Sequence, residues 1–377
     1  MADHPNRALD AHARLARRLG LRAVAGLCVL ALVAIGFAVA ALWCAVLTWQ
    51  HLAEGEVLGA IAAVATFMLC LGASLRCAGW LAAPAERPDG VSLPRAAAPS
   101  LHRMIDRVGR RFGQPAIDGV WVTGDMNAAI LQRPRWGWFG PMETHLMIGL
   151  PLTHSVSRRQ FGAILAHEFA HLAFQRQGIA AWGSHLRAWW FRVLDRCIRS
   201  STGLASVFEW WSARTLPDAV RLSRVEEFDA DECAARVVGA RLLGETLVEV
   251  ALKERFLSED YWRKVMAQSQ LRPQPSIRPY REMGLGMMAG FCRPAPGADH
   301  LHSLVGDEAS PMDFHPTLLE RLQALGVKPA AATSERPSAA ARYLTPLLPS
   351  LAWVFDRAWW LDTRRTWRSR YERARGG

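Results

Sequence analysis

The amino-acid sequence predicts a mostly helical protein with a small antiparallel sheet, preceded by two N-terminal transmembrane helices. Two long uncharged runs close to the N-terminus predict the membrane helices. Short runs of alternating apolar residues predict strands, and apolar residues at three- and four-residue spacing predict the other helices. The chain has 377 residues, of which 51% are hydrophobic and 21% are charged. It can therefore bury a sizeable core, and its composition excludes an intrinsically disordered protein.

Charge, tryptophan and cysteine content narrow the class of protein further. The formal net charge is +11, which suits either nucleic acid or anionic lipid. Sixteen tryptophans against four tyrosines favour lipid, because indole rings collect at membrane interfaces. The sequence carries no recognised nucleic-acid motif, so no nucleic-acid partner is expected. The seven cysteines are scattered without a C-x-x-C pair, which argues against a disulfide-stapled secreted domain and favours a reducing compartment.

Two apolar segments are long enough to cross a lipid bilayer. Residues 23–50 form 28 positions without a formal charge and residues 57–75 form 19, whereas a spanning helix needs about 20. Arginines flank the pair, and the short connection between the segments carries two glutamates and no basic Lys or Arg. The positive-inside rule therefore predicts both ends in the cytoplasm. A cleaved signal peptide is the alternative for the first segment, but its length and the second segment favour an uncleaved anchor.

The region after the anchor predicts a sheet and then a helix. Residues 101–112 have helical spacing, and residues 117–131 and 144–151 are expected to form an antiparallel pair with a long connection. The connection carries three aromatic residues that either touch lipid or fold into the core, namely Trp136, Trp138 and Phe139. Ser157 and Gln160 have capping-box spacing and predict the start of the next helix.

Residues 182–214 are rich in tryptophan and arginine but contain no uncharged run long enough to span a membrane. We expect an amphipathic helical hairpin on the bilayer surface, and the alternative is a helix whose tryptophans pack inward. The remaining elements follow from composition and spacing. Residues 221–268 are expected to be helical, 269–315 irregular, 316–325 a short helix, 329–341 flexible, and the tail an interfacial segment followed by a cationic stretch.

The motif that carries chemistry is H-E-x-x-H, at His167, Glu168 and His171. Histidines four residues apart share one face of a helix, so both imidazoles can reach a single metal ion. Glu168 is placed to contact a metal-bound water rather than the metal, and can take its proton. A buried structural histidine pair is the alternative. The capped, apolar-periodic helix around the motif favours the metal site.

A catalytic zinc site needs a third protein ligand and one open position. The acidic stretch 226–231 offers candidates, because Glu227 and Asp231 lie four residues apart on one helix face. One of them can bind the metal while the other accepts a hydrogen bond from a ligand histidine. Glu226 and Asp229 have no acidic partner at that spacing. A solvated acidic helix face is the alternative interpretation.

Residues 152–171, together with the E-x-x-A-D pattern at 227–231, resemble the HtpX-type membrane metallopeptidases, bacterial relatives of the CAAX prenyl endopeptidases. The resemblance implies a zincin-like α+β metalloprotease domain that holds one Zn²⁺ per chain. It also implies that His167, His171 and Glu227 bind the zinc, that Glu168 is catalytic, and that Asp231 supports a ligand histidine from outside the ligand set.

Two further elements resemble that family. Asn127 precedes a strand, matched by residues 145–151, on whose edge the resemblance implies that a protein or peptide substrate pairs in extended form. His315 and Arg321 match a late element that packs near the site. Whether His315 or Arg321 contacts the oxyanion stays open at this point, with a salt bridge as the alternative for Arg321. A turn is the alternative for Asn127. The family's two further spans between the metal motifs have no counterpart here.

The expected protein is therefore a membrane-anchored zinc endopeptidase that hydrolyses misfolded or membrane-associated proteins. By resemblance it lies in the bacterial inner membrane, with its peptidase domain on the cytoplasmic side. A catalytically vestigial zinc-binding adaptor and a prenyl-protein processing protease are the alternatives. The predicted division is a cytoplasmic segment 1–22, a two-helix anchor 23–80, a linker 81–100, a metallopeptidase domain 101–325, and a flexible segment with a cationic Trp/Arg-rich tail 326–377.

Overall fold

The computed structural model describes residues 4–114, 116–175, 179–200, 205–291, 313–329 and 337–376. The chain forms two compact units. The first contains residues 1–86, 133–142 and 175–222, and the second contains residues 87–132, 143–174 and 223–377. Each unit thus gathers stretches that are distant in sequence, so its core depends on long-range contacts.

The first unit begins with two long apolar helices, α1 (His4–Ala53) and α2 (Val57–Leu81). In the described part of the chain, these two are long and apolar enough to cross a membrane. Most of their apolar side chains are exposed, including Leu32, Leu42 and Leu58. Exposed faces of this size call for a nonpolar environment, which a bilayer would supply.

The tryptophan- and arginine-rich segment forms α6 (Ile179–Arg199) and the first part of α7 (Ala205–Val238) in the same unit. Trp190 is buried against α1, where a Cβ atom at Gly26 would lie 2.5 Å from its ring. Trp210 is instead exposed, with the Arg214 guanidinium 3.8 Å from the ring centroid. The inward-packing alternative therefore holds for Trp190, and a surface position holds for Trp210.

The sheet has four strands, β1 (Val91–Ser92), β2 (Gly119–Thr123), β3 (Ala128–Pro134) and β4 (Met142–Gly149), in the order β1-β2-β4-β3. β1 pairs with β2 antiparallel, but β2 pairs with β4 in parallel. The expected first strand, 117–131, therefore contains two strands. Its β2 part pairs with β4 in parallel, so the antiparallel expectation is wrong there, whereas its β3 part neighbours β4 across the expected connection. The fold class, mostly helical with one small sheet and two apolar N-terminal helices, is confirmed.

The strand order also corrects the expected substrate edge. Residues 145–149 belong to β4, which is an inner strand, and β3 forms the outer edge of the sheet instead. Leu150 and Pro151 begin the short helix α4 (Leu150–Ser155). Glycine at position 149 permits the close approach of the segment before β3, since a Cβ there would lie 1.8 Å from the carbonyl oxygen of Asp125.

Helices α3 (Pro99–Arg111) and α5 (Arg158–Gln175) pack on the sheet. The predicted capping box is present: the Ser157 amide donates to the Gln160 side chain at 2.8 Å, and the Gln160 amide approaches Ser157 Oγ at 3.5 Å. The core between these layers contains fully buried apolar side chains, namely Leu101, Ile105, Leu146, Ile148, Phe161, Leu165 and Phe169. This packing fixes the helix that carries the H-E-x-x-H motif.

The second unit continues with further helical elements. In chain order these are α8 (Ala240–Arg255), a π-helical turn (Phe256–Tyr261), α9 (Trp262–Ala267), a 3₁₀ turn (Gln268–Gln270), α10 (Pro279–Phe291), α11 (Leu318–Ala324), α12 (Ala339–Tyr343) and α13 (Leu348–Gly376). The predicted short helix is confirmed as α11. The expected linker 81–100 contains β1, and the expected irregular region contains α10. Residues 292–312 and 330–336 lie outside the described residues.

The tail differs most from expectation. Instead of a flexible or membrane-surface segment, α13 buries Leu351, Phe355 and Trp367 in the second unit. Leu351 and Phe355 join the main core, and Trp367 stacks edge-on against other tryptophans of α13. Its many arginines face solvent. The basic composition of this segment therefore did not predict a helix with one buried face.

We expect Trp367→Ala to lower the free energy of unfolding by about 3–5 kcal/mol, because it removes a fully buried ring and leaves a cavity. The change also removes the 2.9 Å hydrogen bond from the indole to the carbonyl of Arg272. Denaturant unfolding of the full chain in detergent measures it. Trp353→Ala, on the exposed face of the same helix, is the control and should change stability by less than about 1 kcal/mol. Equal effects would contradict a packed tail.

Candidate metal centre

Two helices of the second unit bring the predicted ligands together. His167 and His171 lie on α5, and Glu227 lies on α7. The two Nε2 atoms are 3.1 Å apart, and each lies 3.4 Å from one oxygen of the Glu227 carboxylate. The structure therefore places all three donors around one point, although the motifs are about sixty residues apart in sequence.

The size of this triangle fits a zinc ion. A tetrahedral ion with bonds of about 2.0–2.1 Å has ligand atoms about 3.3–3.4 Å apart. Two imidazoles and one carboxylate also form a donor set common in catalytic zinc sites. His167, His171 and Glu227 could therefore hold a metal ion without a large rearrangement.

Asp231 orients the first histidine. Its carboxylate is fully buried and lies 3.0 Å from His167 Nδ1. If the carboxylate accepts the Nδ1 proton, the lone pair of Nε2 remains free on the side of the triangle. Burial alone lowers the pKa of His167, but its contacts with Asp231 and Glu227 outweigh this and raise the pKa to about 9. In the metal-free site His167 therefore carries a proton near neutral pH, and a metal ion must displace that proton in order to bind.

Arg321 holds Asp231 in place. Its Nε and Nη2 atoms donate to the two carboxylate oxygens, both at 2.7 Å, and its Nη1 lies 3.6 Å from Glu227. Burial raises the pKa of Asp231, but hydrogen bonds from Arg321 and His167 reverse this and lower it. The salt-bridge alternative for Arg321 therefore describes its observed contacts.

Arg321 is supported by a further pair of contacts that the sequence did not predict. Thr317 caps α11 in a capping box with Glu320, and Glu320 accepts a 2.6 Å hydrogen bond from Arg224 on α7. α7 therefore contacts α11 at two places. One is Arg224, one helical turn before Glu227, and the other is Asp231. The T-x-x-E capping pattern was a readable signal in the sequence, whereas the Arg224 contact depends on the fold.

The model of Peptidase family M48 matches residues 97–327, which is more than half of the chain. The chain belongs to this family. Comparison with the curated proteins and with the solved structures gave no significant match. Family membership supports a metalloprotease and peptide hydrolysis, with zinc as the metal typical of the family. The assignment to an HtpX-type or a prenyl endopeptidase branch stays a prediction.

In this M48 chain, Glu168 lies beside the outer strand of the sheet. The backbone amide of Ile130, on β3, lies close enough to the Glu168 carboxylate to favour its ionised form. Burial raises the pKa of Glu168, while the neighbouring His167 and His171 act in the opposite direction. A carboxylate with a raised pKa is better suited to accept and return a proton near neutral pH.

The two weaker resemblances to the family, at His315 and at Asn127, differ in where the structure places the residues. His315 lies next to the site: its Nδ1 is 3.1 Å from Glu227, and its side chain is 74% exposed. Asn127 precedes β3, and its backbone carbonyl accepts a 2.7 Å hydrogen bond from the Gly149 amide. That contact fits the turn interpretation. A role for the Asn127 side chain in binding substrate stays a prediction.

We expect Asp231→Asn to weaken zinc affinity about 10- to 100-fold, because the amide cannot replace the charged acceptor of the His167 proton. Competition with a chromophoric chelator on the purified chain measures the affinity. Asp229→Asn removes the same charge two residues away, outside the triangle, and should leave the affinity close to that of the wild type. Equal losses in both variants would contradict a specific role for Asp231.

Proposed function

We propose that this M48 chain is a membrane-anchored zinc endopeptidase that cleaves misfolded or membrane-associated proteins. The main support is the triangle of His167, His171 and Glu227, which has the dimensions of a zinc site. Glu168 follows the first ligand directly and contacts the outer strand of the sheet. Family membership favours a peptidase over a non-catalytic adaptor.

In this proposal His167, His171 and Glu227 hold the metal, and a fourth position stays open to solvent. A bound zinc ion would acidify a water molecule and polarise the scissile carbonyl. Asp231 keeps His167 in the tautomer that can bind the metal, and Arg321 keeps Asp231 ionised and in position.

Glu168 moves the proton. Its carboxylate takes a proton from the attacking water and then returns it to the leaving amine. The Ile130 amide favours the ionised carboxylate, whereas burial raises its pKa and so favours uptake of the proton from water. Both effects follow from the position of Glu168 on α5 beside β3.

The substrate chain binds to β3 rather than to residues 145–151. β3 is an outer strand, so its unpaired backbone groups can add an extended chain by main-chain hydrogen bonds. Because Ile130 on this strand contacts Glu168, a chain paired with β3 would run past the proton-transfer group. Exposed His315 is then the group placed to contact the oxyanion, and Arg321 acts through Asp231.

Membrane anchoring is part of the proposal. It rests on the length and composition of α1 and α2, and on the arginines that flank them, which favour a cytoplasmic peptidase domain. Two such helices in the described chain are fewer than a many-helix chamber would need. This favours quality control of membrane proteins, in the bacterial inner membrane, over prenyl-peptide processing.

We expect Glu168→Gln to reduce the rate of peptide-bond hydrolysis about 10²- to 10⁴-fold, because the amide cannot accept the proton of water. Cleavage of casein by the purified full chain measures the rate, and zinc content is measured on the same samples. The variant should keep its zinc. If wild type and variant are both inert with zinc bound, the adaptor alternative gains support, and equal cleavage by both would exclude Glu168 as the base.

We expect Glu227→Ala to lose bound zinc, as His167→Ala does, because two protein ligands cannot complete a stable catalytic site. Elemental analysis of purified protein measures the zinc content. Glu226→Ala is the matched control: it removes the adjacent carboxylate, which does not belong to the triangle, and should keep one zinc per chain. Full zinc in Glu227→Ala with loss in Glu226→Ala would contradict the ligand assignment.

A further inference from the structure

The turn between β3 and β4 exposes two large aromatic side chains. This aromatic turn, residues 135–140, belongs to the first unit. Trp136 is 62% exposed and Phe139 is 61% exposed, and their rings meet edge-on with centroids 6.0 Å apart. Exposed aromatic pairs are costly in water, so they commonly mark a surface that contacts a partner or a membrane.

The exposure of these rings is built into the backbone. Three hydrogen bonds close the turn: Arg135 N–H to the Pro141 carbonyl at 3.0 Å, Trp136 N–H to the Phe139 carbonyl at 3.3 Å, and Gly137 N–H to the Pro134 carbonyl at 2.9 Å. Gly137 and Gly140 both have positive φ angles, of 89° and 109°, which favour glycine. A turn that is already ordered loses little conformational entropy when its tip is bound.

The aromatic turn is attached to the segment that follows α2, within the same unit. The Ala85 amide donates to the Gly137 carbonyl at 2.8 Å, and a Cβ at Gly137 would lie 2.7 Å from the side chain of Pro84. His185 Nε2 on α6 lies 3.1 Å from the carbonyl oxygen of Trp138. Ala85 is four residues beyond Leu81, where α2 ends.

The length of α2 places this attachment at the bilayer surface. The uncharged run 57–75 is about 28 Å long at 1.5 Å per residue, close to the hydrocarbon thickness of about 30 Å. The first charged residue after it is Arg76, so residues 76–86 fall at the level of the headgroups. Side chains of α6 surround this exit: Trp189 donates to the Leu81 carbonyl at 3.0 Å, and Arg196 donates to the Ala82 carbonyl at 2.6 Å. Tryptophan and arginine are typical of this depth.

We propose that the aromatic turn inserts Trp136 and Phe139 into the interface of the bilayer that α1 and α2 span, so that it forms a third contact of the chain with lipid. The proposal rests on the proposed membrane anchoring. The occupant is phospholipid rather than a protein, because the turn is attached to the exit of a span and begins at the exposed Arg135, which suits phosphate headgroups.

The contact deepens the proposed function. β3 ends at Pro134, immediately before the aromatic turn. The strand proposed to bind substrate is therefore joined covalently to a lipid-contacting turn.

Lipid photolabelling of the full-length chain tests the proposal. The chain is reconstituted in nanodiscs of phosphatidylcholine and phosphatidylglycerol that include a phospholipid with a carbene-generating diazirine near the glycerol end of an acyl chain. After irradiation, trypsin releases residues 136–158 as one peptide and residues 343–357 as another. We expect adducts at residues 136–139, at a yield several-fold above that of the second peptide. That peptide is the matched control, because its Trp353 is 55% exposed and is not attached to a span.

The outcomes separate this inference from the proposed anchoring. Adducts on α1 and α2 without adducts at 136–139 would overturn the inference, leave the anchoring intact, and point to a protein partner for the turn. Absence of adducts from α1 and α2 would overturn the anchoring itself. Equal yields in peptides 136–158 and 343–357 would show that exposure alone accounts for labelling, and would overturn the inference as well.

Discussion

The site depends on a buried ion pair that does not itself belong to the ligand set. Arg321 donates two hydrogen bonds to Asp231, which is 1% exposed, and Asp231 in turn contacts His167. Removing one partner of such a pair leaves an uncompensated buried charge and typically costs about 3–5 kcal/mol. The pair therefore couples the position of α11 to the orientation of an imidazole on α5, through a carboxylate on α7.

The same pair sets how the metal-free site responds to pH. The folded-state pKa of Asp231 is lowered, so its contribution to stability is fully present above the pKa of an unfolded aspartate, about 3.9. That contribution is lost as pH falls through the lower folded-state value. Glu227 behaves in the same direction: burial raises its pKa, but contacts with His167, His171 and His315 reverse this and hold the pKa well below its usual range. Both carboxylates are thus ionised throughout the range in which a metal ion would bind.

The sequence predicts those parts of the site that helix geometry determines. His167 and His171, like Glu227 and Asp231, are pairs at four-residue spacing, and a helix places each pair on one face regardless of the rest of the fold. The approach of the two helices is a long-range contact, which only the family resemblance could supply. The order of the strands was not predictable for the same reason: which of β3 and β4 lies outside depends on pairing across the sheet. Composition also did not predict the burial of one face of α13 or of Trp190. Tryptophan beside arginine fits a membrane interface and a helix with one buried face equally well.

The contact between Glu168 and Ile130 links proton transfer to substrate binding in the proposed chemistry. A general base must hold its proton loosely enough to release it, and must stay in place while a substrate enters. Burial raises the pKa of Glu168, whereas the Ile130 amide and the two histidines lower it, so the strand that forms the sheet edge also moderates the basicity of the carboxylate. An extended chain that pairs with β3 would exclude water from this edge and deepen the burial of Glu168, which would raise its pKa further. Substrate binding would therefore increase the proton affinity of Glu168, in the direction that favours uptake of the proton from the attacking water.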